Sequence, residues 1–351
     1  MFDLLSKIVF LRRKPKVIVV GGGISNTLKS ALDFILENYP ESNKDKVVLL
    51  DLQKIGSPTK AKFWLENSSL PILLVSPLGE IPPEDIVFAS EKSAKLENLA
   101  NSFPQFGRLI LSFDDETVRE IGDKLNIKRL TFGFDERADF KATDCHFSKD
   151  GTAFKLNFKG NVLPVWLNRL VGKKNIYTIL ASLAVSEVLD FNLVEISQVL
   201  RKWQGVEGEG TLIDGIEGTI LLNNSENANG FSMIEALEIL GEIGKEEGNR
   251  RIALLGDVLG IGKYTIEAHE TIGEKVAQNA DILFTIGERA KFIAQGAREK
   301  GMGQDRIFEF SKVEDAVEKL KQEMKRGDLI LIDGSKELKI STIVENLRKK
   351  Q

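Results

Sequence analysis

Short apolar runs recur along this chain, each followed by a longer stretch with helical spacing. The first is Val17–Val20, β-branched and uninterrupted, the pattern of a buried parallel strand. Gly21, Gly22 and Gly23 break it. From Ser25 onward, Leu28, Ala31, Leu32, Ile35 and Leu36 return every three or four residues and predict an amphipathic helix. Val47–Leu50, Ile72–Val75, Arg108–Ser112 and Arg129–Gly133 read as further strands. Helices are predicted near Ser93–Ser102 and from Asp114-Asp115 to about Asn126, and only a short connection between the second and third strands. Strands alternating with helices specify a doubly wound, mainly parallel sheet.

The texture then changes. Lys141–Phe147, Thr152–Phe158 and Asn161–Leu167 alternate apolar with polar residues, and Lys149-Asp150-Gly151 is a hairpin signal, so a small antiparallel meander is expected. Asn175–Val188 predicts a helix with small residues on one face, and Asn192-Leu193 opens another that runs to about Trp203. The glycine-rich stretch 205–210 is the best boundary. Beyond it, strands at Thr219–Leu222, Arg251–Leu255, Ile282–Ile286, Arg306–Phe310 and Leu329–Ile332 alternate with helices near Ser232–Gly241, Glu267–Gln278, Ala290–Lys300, Val313 and Ile340. Three parts are expected: an extension over 1–15, a central domain over 16–205 and a C-terminal α/β domain over 206–351.

Strand, glycine turn and helix is how an α/β domain begins a phosphate site, with backbone N–H groups facing the anion. A P-loop needs G-x-x-x-x-G-K-[ST]. With Thr27 set on the motif's hydroxyl, Asn26 stands in place of its Lys and Ser25 in place of its second Gly. The loop has the outline of a nucleotide site without its main cation.

Composition narrows the chemistry. A formal net charge of −4 speaks against nucleic-acid binding. A single cysteine, Cys145, excludes a disulfide framework or a multi-cysteine metal site. Only His146 and His269 are available for imidazole chemistry. No apolar run reaches membrane-spanning length, and a cytoplasmic protein is expected. Residues 1–15 place Leu4, Leu5, Ile8, Val9, Phe10 and Leu11 before Arg12, Arg13 and Lys14, the wrong order for a signal peptide. That segment reads either as a short helix packed on the domain or as a helix for a membrane surface or partner.

Five stretches carry a resemblance: LTFGFDERADFKATDCHFSKDGTAFKL (130–156), the run from Asn175 to Gly210, LLNNSENANGFSMIEALEIL (221–240), RIALLGDVLGIG (251–262) and Asp333–Lys336. In that order they resemble the Mur ligase family, most closely its D-alanyl-D-alanine-adding branch. The third is similar to the family's DDSYNANP-S-M, the fourth to LGDMLELG and the last to KGSR. The resemblance implies a P-loop-type central α/β domain with its meander, followed by a Rossmann-like C-terminal α/β domain. It also implies ATP and Mg²⁺ as cofactors and amide formation through an acyl phosphate. The family's first domain, which holds the UDP-sugar, is expected to be lacking, which puts a UDP-sugar peptide substrate in doubt.

Departures cluster at charged positions. Asn26 replaces the loop Lys, and the family's Mg²⁺-binding Glu has no counterpart near Pro71–Glu80. Its N-x-G-x-x-H histidine is absent between Glu80 and Ala94. Lys174 stands for a His and Thr178 for an Asn, while Asn175 remains. Asn223 and Asn224 replace two Asp, Glu226 a Tyr, Glu209 an Arg, Asp333 a Lys and Lys336 an Arg. Asn227, Asn229, Ser232, Met233, Gly256, Asp257 and His269 persist.

The resemblance nominates Gly21, Gly22, Gly23, Ser25, Asn26, Thr27, Asn227, Asn229 and Asp257 for nucleotide, Thr27 for metal, and Lys174 and His269 for catalysis. Each has a plainer reading. Asn229 can be a helix cap, Asp257 a turn or cap, His269 a satisfied helix histidine, Lys174 and Lys29 solvated lysines, and Asp114-Asp115 a helix N-terminal pair. The expected function is a ligase of peptidoglycan precursor synthesis with impaired or lost catalysis. The alternative is a non-catalytic paralogue, without cofactor, that binds or regulates an intact ligase.

Overall fold

Eight strands build the first sheet: β1 (Lys16–Gly21), β2 (Val47–Asp51), β3 (Leu70–Val75), β4 (Arg108–Ser112), β5 (Arg129–Gly133), β6 (Phe140–Ser148), β7 (Gly151–Phe158) and β8 (Asn161–Asn168). Their spatial order is β2-β1-β3-β4-β5-β6-β7-β8. This computed structural model describes residues 4–42, 46–55, 58–78, 96–101, 103–226, 229–259 and 261–349. The chain divides into two compact units. One comprises Met1–Cys145, Ala153–Trp166 and Lys173–Trp203, the other His146–Thr152, Leu167–Gly172 and Gln204–Gln351.

In the first unit β1 pairs in parallel with both β2 and β3, and β3 to β5 continue the parallel run. Alternation along each strand supplies both faces. Val17, Val19, Leu73, Val75, Leu109 and Leu111 pack with Trp64, Leu65, Leu96, Leu99, Val118 and Ile121. Ile18, Val20, Ile72, Leu74 and Ile110 are fully buried as well. The helix Ser25–Asn38 buries Leu28, Ala31, Leu32, Ile35 and Leu36 and contacts the helix Lys173–Val188, which buries Ala181, Ser182 and Ala184.

The expected meander joins the main sheet: β6 pairs in parallel with β5 through Phe132↔Phe140 and Gly133↔Lys141, so β6–β8 extend it. One feature here differs from the sequence reading. Between β2 and β3 lie two helices, Leu52–Ile55 and Pro58–Glu66, rather than a short connection. Pro58 suits a first helical position, where no N–H is needed, and Trp64 and Leu65 are buried. Helix is present over 96–101, while Pro82, Pro83 and the start of the predicted 93–102 helix lie outside the described residues.

The second sheet contains β9 (Thr211–Asp214), β10 (Ile220–Asn223), β11 (Arg251–Gly256), β12 (Ile282–Ile286), β13 (Ile307–Phe310) and β14 (Leu329–Asp333), in the order β13-β12-β11-β14-β10-β9. All pairs are parallel except β9 on β10, an antiparallel edge that the glycine-rich context concealed. Alternation again serves two faces. Ala253 and Leu255 pack with Met233, Leu237, Ile272 and Ile293. Ile252 and Leu254 pack with Ala316, Leu320, Ile343 and Leu347. Helices therefore cover both faces, the doubly wound arrangement expected.

Candidate functional site

In the first unit the strand order reverses at β1, which sits between β2 and β3, so the carboxyl end of β1 is where such sheets collect ligands. The glycine turn lies there. Gly22 has φ +105, and a Cβ on it would overlap the Ser76 hydroxyl and backbone, so glycine is required. The turn is fastened to the end of β3. Gly23 N–H donates to the Pro77 carbonyl at 2.7 Å, and Ile24 N–H to Ser76 Oγ at 3.3 Å. Ser76 N–H in turn donates to the Gly21 carbonyl at 3.0 Å. Two amides of the turn are thus taken up by the chain itself.

The helix Ser25–Asn38 begins at this turn without a side-chain cap, so the positive end of its dipole persists. Ser25 and Thr27 are buried, Thr27 completely, and only Asn26 of this trio is exposed. Lys29 is half-buried and paired with Asp33 at 2.5 Å. Thr27 is sealed from solvent, and the Gly23 and Ile24 amides face the end of β3.

Neighbouring carboxylates are committed to turns. Asp115 caps the helix Glu116–Asp123 through Val118 N–H at 3.0 Å, and its other oxygen accepts Leu78 N–H at 2.8 Å. Asp114 accepts the N–H groups of Phe134 (2.8 Å) and Asp135 (3.0 Å) and the Tyr177 hydroxyl (2.6 Å). Lys174 is half-buried in the first turn of the helix Lys173–Val188, and its carbonyl accepts the Thr178 hydroxyl at 2.8 Å.

In the second unit the ends of β10, β14 and β11 are neighbours and carry Asn223-Asn224, Asp333 and Gly256-Asp257. Asn224 Nδ2 donates to Asp333 Oδ2 at 2.6 Å. Asp333 has no exposed surface, and burial pushes its carboxyl up to about 8, against the pull of the Asn224 and Gly334 hydrogen bonds. That burial favours its neutral form. Its Oδ1 and the Ser335 hydroxyl are buried without hydrogen-bond partners among the described residues. Two departures from the family pattern, 109 positions apart, thus meet in one hydrogen bond.

Asp257 Oδ1 accepts the N–H groups of Arg289 (2.9 Å) and Ala290 (2.7 Å). The adjoining Gly287 has φ +116 and leaves no room for a Cβ against that carboxylate. His269 is wholly buried, its Nδ1 2.6 Å from the Thr265 carbonyl and its Nε2 accepting Val258 N–H at 3.2 Å. Those partners assign the proton to Nδ1, and burial holds its pKa below the usual histidine range. His269 is thus a satisfied helix histidine, not a surface one. Asn229 forms a reciprocal capping box with Ser232 at the start of the helix Gly230–Glu247. Asn227 lies outside the described residues. Lys336 pairs with Glu226 at 2.6 Å, which raises its pKa. His146 lies between Glu242 and Glu246 at 3.7 and 3.4 Å.

The structure gathers Gly21–Thr27 at one sheet end and Asn224, Asp333 and Asp257 at another. Sequence reasoning missed the fastening by Ser76-Pro77, for which a Ser-Pro pair just after a strand was the available signal. Among the described residues, no group of three or more His, Cys, Asp and Glu could hold a metal ion.

Residues 92–186 match the Mur ligase middle domain, and residues 211–336 the Mur ligase glutamate ligase domain. The UDP-N-acetylmuramoyl-tripeptide--D-alanyl-D-alanine ligase of Bacillus subtilis is 26% identical over 255 residues, covering 72% of this chain and 54% of its own. A UDP-N-acetylmuramate--L-alanine ligase of Alkaliphilus metalliredigens is 26% identical over 61% of this chain and 50% of its own. The chain thus spans about half the length of these two curated relatives. In fold it is similar to MurF of Acinetobacter baumannii, with a TM-score of 0.78 at 17% identity over 97% of this chain and 78% of that one. The MurF ligase of Thermotoga maritima, solved in complex with ADP, gives 0.74 at 18% identity over 98% and 84%. With both domains present in the family's order on a MurF-like fold, this chain belongs to the Mur ligase family.

Proposed function

We propose that this chain is a Mur-ligase relative of peptidoglycan precursor synthesis, of the D-alanyl-D-alanine-adding type, whose own ATP-dependent amide formation is impaired or lost. The observation that carries the reading is the fastened glycine turn: Gly23 and Ile24 direct their amides to Pro77 and Ser76, and Asn26 stands where the loop lysine belongs. Removing one preorganised donor from a closed site costs about 3–4 kcal/mol of transition-state stabilisation. Losing the loop cation as well compounds the deficit.

Purified chain mixed with ATP, Mg²⁺, a UDP-muramoyl tripeptide and D-Ala-D-Ala is expected to release no phosphate above a protein-free blank. Calorimetric titration with Mg²⁺-ATP is expected to show no micromolar binding. Release or tight binding overturns the reading.

The clustering of substitutions at charge-bearing positions supports a second role, as a binding or regulatory partner of an intact ligase. Adding the chain to an active MurF-type enzyme is expected to alter that enzyme's rate. An unchanged rate at saturating chain removes this role and leaves the first reading standing.

A further inference from the structure

The helix Leu4–Arg13 presents a surface that neither sheet explains. Phe10 is its inward anchor, 7% exposed, with its ring edge-on to Trp64 at 4.6 Å. That contact fixes which way the helix faces. Ile8, Val9 and Leu11 consequently point outward, at 53%, 49% and 41% exposure. Ile8 and Leu11 are three residues apart and share one stripe, with Val9 beside it. Arg12 follows Ile8 by four positions on the same stripe, and Arg13 and Lys14 continue from it.

Charge accompanies the apolar stripe. The first sixteen residues contain five cations, Lys7, Arg12, Arg13, Lys14 and Lys16, and a single acid, Asp3, in a chain whose formal net charge is −4. Lys7 lies over the Phe63 ring at 5.1 Å. Arg12, Arg13 and Lys14 make no ion pair with any described residue. At about 1.5 Å per residue this ten-residue helix is far too short to cross a bilayer, and among the described residues no helix is long and apolar enough to do so. A helix lying flat needs no such length. It needs apolar side chains for the acyl boundary and flexible cations that snorkel back to anionic headgroups.

We propose that Ile8, Val9 and Leu11, with Arg12, Arg13 and Lys14, form a docking surface for an anionic phospholipid membrane, on which the chain rests peripherally. The charge selects the occupant. An acidic bilayer offers a continuous negative plane to the basic end of the helix and hydrocarbon to its exposed stripe. A second copy of this chain would bring its own like-charged helix end against this one. The inference is independent of whether the chain turns over ATP.

The test is co-sedimentation of the full chain with vesicles of phosphatidylcholine alone and of phosphatidylcholine mixed with phosphatidylglycerol. Binding is expected only to the second, weakening as salt rises. Arg12→Glu with Arg13→Glu should weaken it by about tenfold or more, since each basic residue near an anionic surface contributes about 1 kcal/mol. Ile8→Ser with Leu11→Ser should weaken it comparably while circular dichroism and melting stay those of the parent. These side chains are exposed, and Ile8→Ala with Leu11→Ala serves if the serine pair unfolds. Equal binding to both vesicle types, no binding to either, or variants that bind like the parent overturns the proposal. So does sedimentation as a dimer that the Ile8 and Leu11 changes dissociate, without vesicle binding.

Discussion

The two sheet ends answer the same problem by different means. At the end of β1 the turn is closed by main-chain groups: Gly23 on Pro77, Ile24 on Ser76, Ser76 on Gly21. At the ends of β10, β14 and β11 the closure is made by acidic side chains, Asp333 on Asn224 and Asp257 on Arg289 and Ala290. The first mode depends on glycine conformation and is indifferent to pH. The second includes a buried acid, Asp333, whose pKa burial raises. Closing a strand end therefore needs no common chemistry: main-chain groups serve at one and side-chain carboxylates at the other.

The comparison breaks hardest at Asp333. Asp333→Lys alone sets an unpaired buried cation against Asn224 and should cost about 3–5 kcal/mol in urea denaturation. Adding Asn224→Asp supplies its counter-ion, and the double variant should recover part of that loss. Strict additivity would show that the two positions do not act as a pair.

The pH dependence comes next. Asp333 has a folded pKa of about 8, above the unfolded carboxylate value. The folded state then holds a proton that the unfolded chain has released. The contribution is complete below the unfolded pKa and is lost as pH rises through about 8, at a limit of about 1.4 kcal/mol per pH unit. His269, whose pKa is lowered, has the opposite sign: its stabilisation is present above the unfolded histidine pKa and falls as pH drops. Urea melts between pH 4 and 8 should show Asp333→Asn removing the alkaline-side decline and leaving the histidine limb. Parallel profiles for parent and variant would contradict a neutral Asp333.

Asp257→Ala strands the Arg289 and Ala290 amides and should destabilise by about 1–3 kcal/mol, read from the denaturation midpoint. The smallest effect sharpens the first sheet end. Asn26→Lys restores the motif's cation but leaves Gly23 and Ile24 committed, so calorimetry should still detect no micromolar Mg²⁺-ATP binding. Binding gained by that single change would show that the turn opens readily.

Much of this architecture was legible because periodicity reports burial directly. Arg108–Ser112, Arg129–Gly133 and Ile282–Ile286 coincide with the observed β4, β5 and β12, whose later residues are buried. The edge strand β9 escaped, because Thr211–Asp214 is short and follows a run of glycines. The helices Leu52–Ile55 and Pro58–Glu66 escaped because neither spans enough turns for the period to emerge. At the candidate sites the sequence located the strand ends but not the partners. Ser76 lies 52 residues from Ile24 and Asp333 lies 109 from Asn224, and no local pattern encodes such pairings. Asn229 and His269 proved to be cap and packed imidazole because their hydrogen bonds run to neighbours three to eleven residues away, well within local reach.

The seam between β5 and β6 has a mechanical consequence. Ladder pairing there is limited to Phe132↔Phe140 and Gly133↔Lys141. The Thr131 amide and hydroxyl each donate to Asp139 Oδ2 at 2.8 Å, and Asp139 N–H donates back to Thr131 Oγ1 at 3.0 Å, so side chains carry the seam where the ladder stops. Losing either side chain would leave the junction of parallel and hairpin strands resting on two backbone rungs.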